Sequence, residues 1–377
     1  MKTILLAFHE SEIQGGPAYK FYSYLKKKYK VYRIVHPMFP YRKQQSFIDG
    51  DKRIFRYKIP PFLQYPLEGI YAIIIWHRYF KTSKIDLAIC FDSLSYFHTY
   101  LYKKLFKINK ISYYNVDYSK KRFKNPFMNI IYQKITKFSY TSCDYFFSFG
   151  NKFIEEVDPD GKYRHKQFTV KSLIDLKSIK RVREKDRRLL IYAGAIDYST
   201  TDFTPLLKAL KRLKDEKVSF SLAVYGEVNT HSPIKKTIEQ LSLGSVISFC
   251  GSRENQLLTE EIIPRYAIGL AAYASRLNPR SPDHAFMNKD LTGKLVDYIG
   301  AGLPIISTRI NDSFKMIDEN KIGFSVVSSN EWYSALKVLL TNKTLYDLYS
   351  KNAILFSKNY DTETILNPVF KKILGED

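Results

Sequence analysis

Thr292, Gly293 and Lys294 stand directly before an apolar-periodic run, Leu295 to Ile299, and Asp297 follows the lysine by three residues. A helix that starts near Thr292 aims unpaired N–H groups forward with a lysine ammonium beside them, and such a terminus holds an anion such as a phosphate. Leu190-Ile191-Tyr192-Ala193-Gly194 ends another apolar run on a glycine, where an anion can approach the backbone. The bland alternative for Lys294 and Asp297 is an i,i+3 surface ion pair. Ser252 and Arg253 follow a third strand-end glycine, Gly251, and Arg253 could equally be a solvated cation. In the first half, Gly15-Gly16 follow the first apolar run, either as a close-approach point or as a simple turn. His9 and Asp92 stand at the ends of apolar runs, where general acid–base work is possible. Asp117 lies just past Ile111–Asn115 and could instead cap the next segment.

Several common chemistries are excluded. Gly300-Ala301-Gly302 follows a helical segment and precedes a strand, the wrong order for a dinucleotide fingerprint. No GxxxxGK[ST] loop, GxSxG elbow or HExxH pair occurs. Asp158-Pro159-Asp160-Gly161 is a strong turn sequence after a helix-like stretch, so it reads as a turn rather than a divalent-ion DxD. No structural or catalytic metal is expected. Cys90, Cys143 and Cys250 are odd in number and sit in apolar surroundings, which predicts buried thiols rather than disulfides.

The elements that must position these residues alternate between strand-like and helical periodicity, the pattern of βαβ units and parallel sheets. Strands are predicted over 3–8, 31–35, 87–91, 111–115 and 145–149, then over 189–194, 219–225, 246–250, 268–272, 305–308 and 323–327. Thr204-Pro205 and Ser232-Pro233 predict helix starts with a capping hydroxyl, and Leu206, Leu207, Leu210 and Leu213 form one apolar face after the first. At 377 residues the chain accommodates two α/β domains. They are expected at 1–178 and 188–356, joined by a charged linker at 179–187, with a final helix at 357–377 that returns to the first domain. Ligands bind outside the carboxyl ends of strands in such sheets, so a cleft between the domains is the expected place for chemistry.

Charge is unevenly spread. Residues 1–185 hold 36 Lys and Arg against 15 Asp and Glu, a balance of +21, while the remainder is +2. Aromatic and basic residues interleave over 100–110 and 120–138, as in a helix lying at a lipid interface. No apolar run is long enough to cross a bilayer, since Ile70–Trp76 is closed by Gly69 and by His77 and Arg78. Met1–Phe8 reads as a first strand, so a cytoplasmic protein is expected, peripherally attached to the membrane face.

The second half carries an ordered set: LIYAG at 190–194, Tyr225-Gly226-Glu227, VISFCG at 246–251, YAIGLAAY at 266–273 and KLVDYIGAGLPII at 294–306. Over about 188–356 this resembles the nucleotide-sugar-binding domain of GT-B glycosyltransferases of the family-4-like group. The first half resembles the group more loosely, through Gly15-Gly16 and the alternating architecture. The resemblance implies the GT-B fold, two doubly wound Rossmann-like domains. It also implies transfer, with retention, of a sugar from a nucleotide-diphosphate sugar to a glycan or lipid-linked acceptor in cell-surface polysaccharide synthesis. By resemblance, Gly15, Gly16, Gly194, Ser252, Arg253, Thr292, Gly293, Lys294 and Asp297 contact the donor, with Asp297 on the ribose. Asp117 stands where relatives carry a catalytic His or Asp, and His9 is a second catalytic candidate. No cofactor is implied beyond the donor.

The sequence departs from the group in two places. Lys289 replaces the usual glutamate eight positions before Asp297, leaving Asp290, Arg276, Arg280 or Asp283 as substitutes. The segment after Gly194 (AIDYSTT) lacks the usual bases, which puts more of the phosphate charge on Lys294. Two other classes stay open. A sugar-nucleotide epimerase on the same fold would turn over donor without acceptor, and a nucleic-acid-binding protein would use the basic half.

Overall fold

In the computed structural model the described residues are all except 11–15, 38–44, 50–52, 57–62, 81–83, 104, 106, 117–121, 124, 151–153, 156, 198–199, 230–231, 275–290, 311–312 and 376–377. The chain divides into two compact units, Met1–Lys171 with Ile365–Asp377, and Ser172–Thr364.

The first unit is built on strands β1 Thr3–Glu10, β2 Lys30–Pro37, β3 Gln45–Asp49, β4 Arg53–Arg56, β5 Ile85–Cys90, β6 Ile108–Asn115, β7 Tyr145–Ser148 and β8 Gln167–Thr169. Their order in the sheet is β4-β3-β2-β1-β5-β6-β7-β8. β1 pairs in parallel with both β2 and β5, and Ile4, Leu5, Leu6, Ala7 and Phe8 are buried without a break. That continuity follows from a parallel strand covered on both faces. Helix α1 spans Gly16–Leu25, α2 Gln64–Phe80, α3 Ser93–Tyr102 and α4 Pro126–Ser142. Side chains of α2, α3 and α4 join one core cluster on one face of the sheet.

The second unit holds β9 Leu189–Ala193, β10 Ser221–Tyr225, β11 Ile247–Phe249, β12 Ile268–Ala271, β13 Ile305–Thr308 and β14 Gly323–Val326. All pair in parallel, in the doubly wound order β11-β10-β9-β12-β13-β14. Its principal helices are α5 Thr204–Asp215, α6 Ile234–Gln240, α7 Gly293–Gly300, α8 Ser313–Glu319, α9 Ser329–Thr341 and α10 Lys343–Ser357. The last helix, α11 Thr362–Leu374, begins here and ends in the first unit. There Phe370 packs near Phe21, Tyr24 and Tyr29, and Lys110 Nζ donates to the Ile373 carbonyl at 2.8 Å.

Four expectations change. The segment 179–187 lies inside the second unit, because its cations cap helix ends there. Arg181 Nε donates to Gly300 O at 2.8 Å, Lys185 Nζ to Ala301 O at 2.6 Å, and Arg187 to Leu340 O at 2.9 Å. Positive charge at carbonyl-rich helix termini is favourable, which explains basic residues in a stretch without apolar periodicity. Thr204 and Ser232 are not caps: helix α5 starts at Thr204 itself, whose N–H bonds Asp202 at 2.9 Å, and α6 starts after Pro233. Cys250 is half-buried, unlike Cys90 and Cys143. Strands β3 and β4 form an antiparallel edge that the sequence pattern did not announce. Asp158 does make a turn, accepting from Tyr163 N–H at 2.9 Å.

Candidate active site

Strand order in the second unit reverses between β9 and β12, and β9 ends there on Gly194. Gly194 (φ 146°) and Gly226 (φ 142°) hold conformations that disfavour side chains, and a Cβ on Gly226 would lie 2.1 Å from Gly194 O. Helix α7 is seated beside them by Tyr298, whose hydroxyl accepts from Ala193 N–H at 2.7 Å and donates to Leu270 O at 3.1 Å. One turn earlier, Lys294 comes so close to Gly194 that a Cβ there would stand 2.7 Å from Nζ. Its ammonium donates to Tyr192 OH at 3.1 Å and lies 4.3 Å and 5.1 Å from the ring centres of Tyr192 and Tyr273. Burial lowers its pKa to about 8. Tyr273 OH shares a 2.6 Å hydrogen bond with Thr292 Oγ1, so that hydroxyl does not cap the helix, and Gly293 is exposed with open space at its Cβ position. A helix N-terminus and a lysine thus stand together at the sheet's switch point, where doubly wound sheets bind phosphorylated ligands.

In the first unit the reversal falls between β1 and β5, and a cluster of ionisable side chains lies at it. His9, 6% exposed at its side chain, sets Nδ1 3.0 Å from Asp92 Oδ1 and Nε2 2.6 Å from Glu68 Oε1. Both ring nitrogens facing carboxylates require both to carry protons, so His9 is an imidazolium. Asp92 also caps α3 through Ser95 N–H at 2.8 Å. Glu68, from α2, is fully buried, with His36 and His98 nitrogens at 3.9 and 3.7 Å from the same oxygen. Burial alone would strip His9 of its proton; Asp92 and Glu68 outweigh it and hold the pKa well above the usual histidine range. Burial would likewise raise Asp92 and Glu68, but His9 keeps both low. Burial lowers His36, and lowers His98 to about 4.

These signs predict the pH dependence of stability. The His9 contribution is complete below about pH 6.5, its unfolded value, and is lost as pH rises through the raised folded value. His36 and His98 act oppositely: below about pH 6.5 the unfolded chain takes up protons that the folded chain refuses. Stability of the first unit, followed through Trp76 during urea denaturation of a Trp332→Phe protein, therefore peaks near pH 6.5, and His9→Asn flattens its alkaline limb. A first-unit profile that still rises toward pH 9 with His9 in place contradicts this assignment.

The residues expected from sequence fall into three groups. Gly194, Thr292, Gly293 and Lys294 come together as described. Asp297 is buried in α7, and its backbone carbonyl accepts from Ala301 N–H at 3.1 Å. Ser252 and Arg253 are exposed beyond β11, with Arg253 bonded to the Ser252 carbonyl at 2.9 Å. Gly16 opens α1 with φ 69°. Gly15 and Asp117 lie outside the described residues, as do Arg276, Arg280, Asp283, Lys289 and Asp290. Sequence reasoning missed Glu68, His36, His98, Ser95 and the tyrosines 192, 273 and 298. One signal existed for Glu68, an acid set inside an otherwise apolar helix. Among the described residues no group of three or more His, Cys, Asp or Glu is arranged to hold a metal ion.

No protein-family model and no curated protein matches the chain. Solved structures do. HepE of Anabaena in complex with UDP matches over 100% of both chains, with 12% identity and a TM-score of 0.66. Sucrose-phosphate synthase from Thermosynechococcus elongatus matches over 100% of both, with 12% identity and a TM-score of 0.69. WaaG, a glycosyltransferase involved in lipopolysaccharide biosynthesis, matches over 99% of this chain and 100% of its own, with 15% identity and a TM-score of 0.65. The chain has the GT-B fold. At these identities the likeness carries the fold, and the chemistry of this GT-B chain rests on its own two switch-point clusters.

Proposed function

We propose that the protein is a glycosyltransferase that takes a nucleotide-diphosphate sugar as donor and passes the sugar, with retention, to a glycan or lipid-linked acceptor in cell-surface polysaccharide synthesis. The observation that carries this reading is the Lys294 ammonium set against Gly194 beside the open N-terminus of α7. Glycosyl transfer leaves a diphosphate whose growing charge must be met, and a lysine with oriented N–H groups meets it without reorganisation. Asp297 serves the ribose, and Ser252 and Arg253 the base. HepE was solved with UDP, which makes UDP the first nucleotide to test.

The first unit supplies the acceptor side. His9 is poorly placed to accept a proton, since both nitrogens already donate to carboxylates. It fixes the ends of β1 and β5, which makes it a positioning residue, and Asp117, two residues beyond β6, takes the acceptor proton. The enzyme works at the cytoplasmic membrane face, where the positive charge of the first unit meets anionic lipid. Thermal-shift measurement across nucleoside diphosphates and their sugars tests the donor reading. UDP is expected to raise Tm, and Lys294→Ala to weaken binding by about 10- to 100-fold, the loss of one charge-assisted contact. An unchanged shift in Lys294→Ala would remove the cradle. Turnover of donor without acceptor would favour the epimerase.

A further inference from the structure

Helix α2 is apolar on both sides. Its inward residues Ala72, Ile75 and Trp76 are buried, yet Ile70, Ile73 and Ile74 on the outer side are 55%, 42% and 55% exposed, followed by exposed His77 and Arg78. Helix α4 repeats the exposed apolar face, over an inward side of hydroxyl-bearing residues. Thr136, Ser139 and Tyr140 face inward, while Phe127, Ile130 and Ile131 are 66%, 52% and 36% exposed, followed by exposed Lys134 and Lys137. In both helices the outer residues recur at i, i+3, i+4 and i+7, three large apolar side chains and then a basic one. A helix that is apolar all round normally has a partner on each face. Helix α3 lies against both: Tyr102 OH donates to Gly69 O of α2, and Ser93 Oγ shares a 2.7 Å hydrogen bond with Thr136 of α4. Its own Tyr100 and Leu101 are exposed as well. The three outer faces therefore belong to one layer of the first unit.

The charge of that layer selects the occupant. The sole carboxylate within the three helices is Glu68, and it is completely buried. The unit as a whole has 33 Lys and Arg against 15 Asp and Glu, or +18. A protein partner is recognised by mixed polar contacts, whereas apolar side chains interleaved with cations and free of exposed acid match an anionic bilayer interface. No helix among the described residues is long and apolar enough to cross a membrane, which leaves lying on the surface. We infer that the outer faces of α2, α3 and α4 dock the first unit on an anionic lipid bilayer, with Ile70, Ile73, Ile74, Phe127, Ile130 and Ile131 inserted among the headgroups. This deepens the proposed membrane-face placement by naming the surface. Glu68 at the start of α2 reaches His9 at the end of β1, so the apolar turns of α2 lie next to the carboxyl ends of the strands. Docking there brings a membrane-held acceptor to the strand ends.

The test is co-sedimentation of the full-length protein with vesicles of phosphatidylcholine alone or mixed with phosphatidylglycerol, at low and high salt. Binding is expected only with phosphatidylglycerol, and it weakens as salt rises. Ile70→Glu/Ile74→Glu and Phe127→Glu/Ile130→Glu should each lower the bound fraction about tenfold, since each places two charges where apolar groups insert. All four positions are exposed, so Tm and the UDP-induced shift should hold in both variants. No recruitment to anionic vesicles, or recruitment untouched by both pairs, overturns the proposal. So does a dimer, seen by light scattering, that the same substitutions dissolve while vesicle binding persists, because the face then belongs to a second copy. A missing nucleotide response would bear on the transferase reading and leave this one standing.

Discussion

Glu68→Gln lowers the unfolding free energy of the first unit by about 3–5 kcal/mol near pH 6.5, the range found when one partner of a buried ion pair is removed. The glutamine preserves volume, so the loss is electrostatic. It leaves the His9 imidazolium with Asp92 alone and withdraws the charge that His36 and His98 face. The penalty shrinks as pH rises, because a neutral His9 no longer needs the carboxylate. Trp76 lies in the same helix and reports the transition; Trp332, in the second unit, can be silenced by Trp332→Phe. A loss below about 1 kcal/mol, the size of an ordinary exposed pair, would show that the cluster is not organised around Glu68.

Gly269→Ala is expected to cost about 3 kcal/mol and to lower transferase turnover by about 100-fold. A Cβ at this position would lie 2.4 Å from Tyr298 Cγ and 2.5 Å from Cδ2, inside any van der Waals contact. Tyr298 cannot swing away without abandoning Ala193 N–H and Leu270 O, two buried backbone groups. Helix α7 must therefore move, and Lys294 with it. Gly293→Ala is the comparison: nothing lies within 4 Å of its Cβ position, so stability should be unchanged. Urea denaturation together with turnover of the donor and acceptor checks both. Full activity in a folded Gly269→Ala protein would detach the helix position from catalysis.

The parallel strands other than the short, partly polar β8 were legible because burial on both faces writes them as unbroken apolar runs, as in Ile4–Phe8 and Leu190–Ala193. The edge strands β3 and β4, short and rich in polar residues, carry no such run. The cradle was legible through backbone requirements, a strand-end glycine and a helix start with lysine. Its walls were not: Tyr192, Tyr273 and Tyr298 read as core aromatics until the fold brings Lys294 between two of them. The Glu68 cluster was invisible for a topological reason. His9 is 59 positions from Glu68 in sequence, and the two meet because α2 comes to the carboxyl ends of the neighbouring central strands β1 and β5. The segment 179–187 misled because helix-capping cations and a solvated linker have the same composition.

In the proposed donor site, Lys294 and the start of α7 grip a diphosphate. Isothermal titration of UDP into the wild-type protein and Lys294→Ala, near pH 7 and again near pH 9, tests it most directly. With the ammonium titrating at about 8, wild-type affinity should fall between the two pH values, and Lys294→Ala should bind weakly at both. Equal affinity in the two proteins, with no pH dependence in either, would contradict the account.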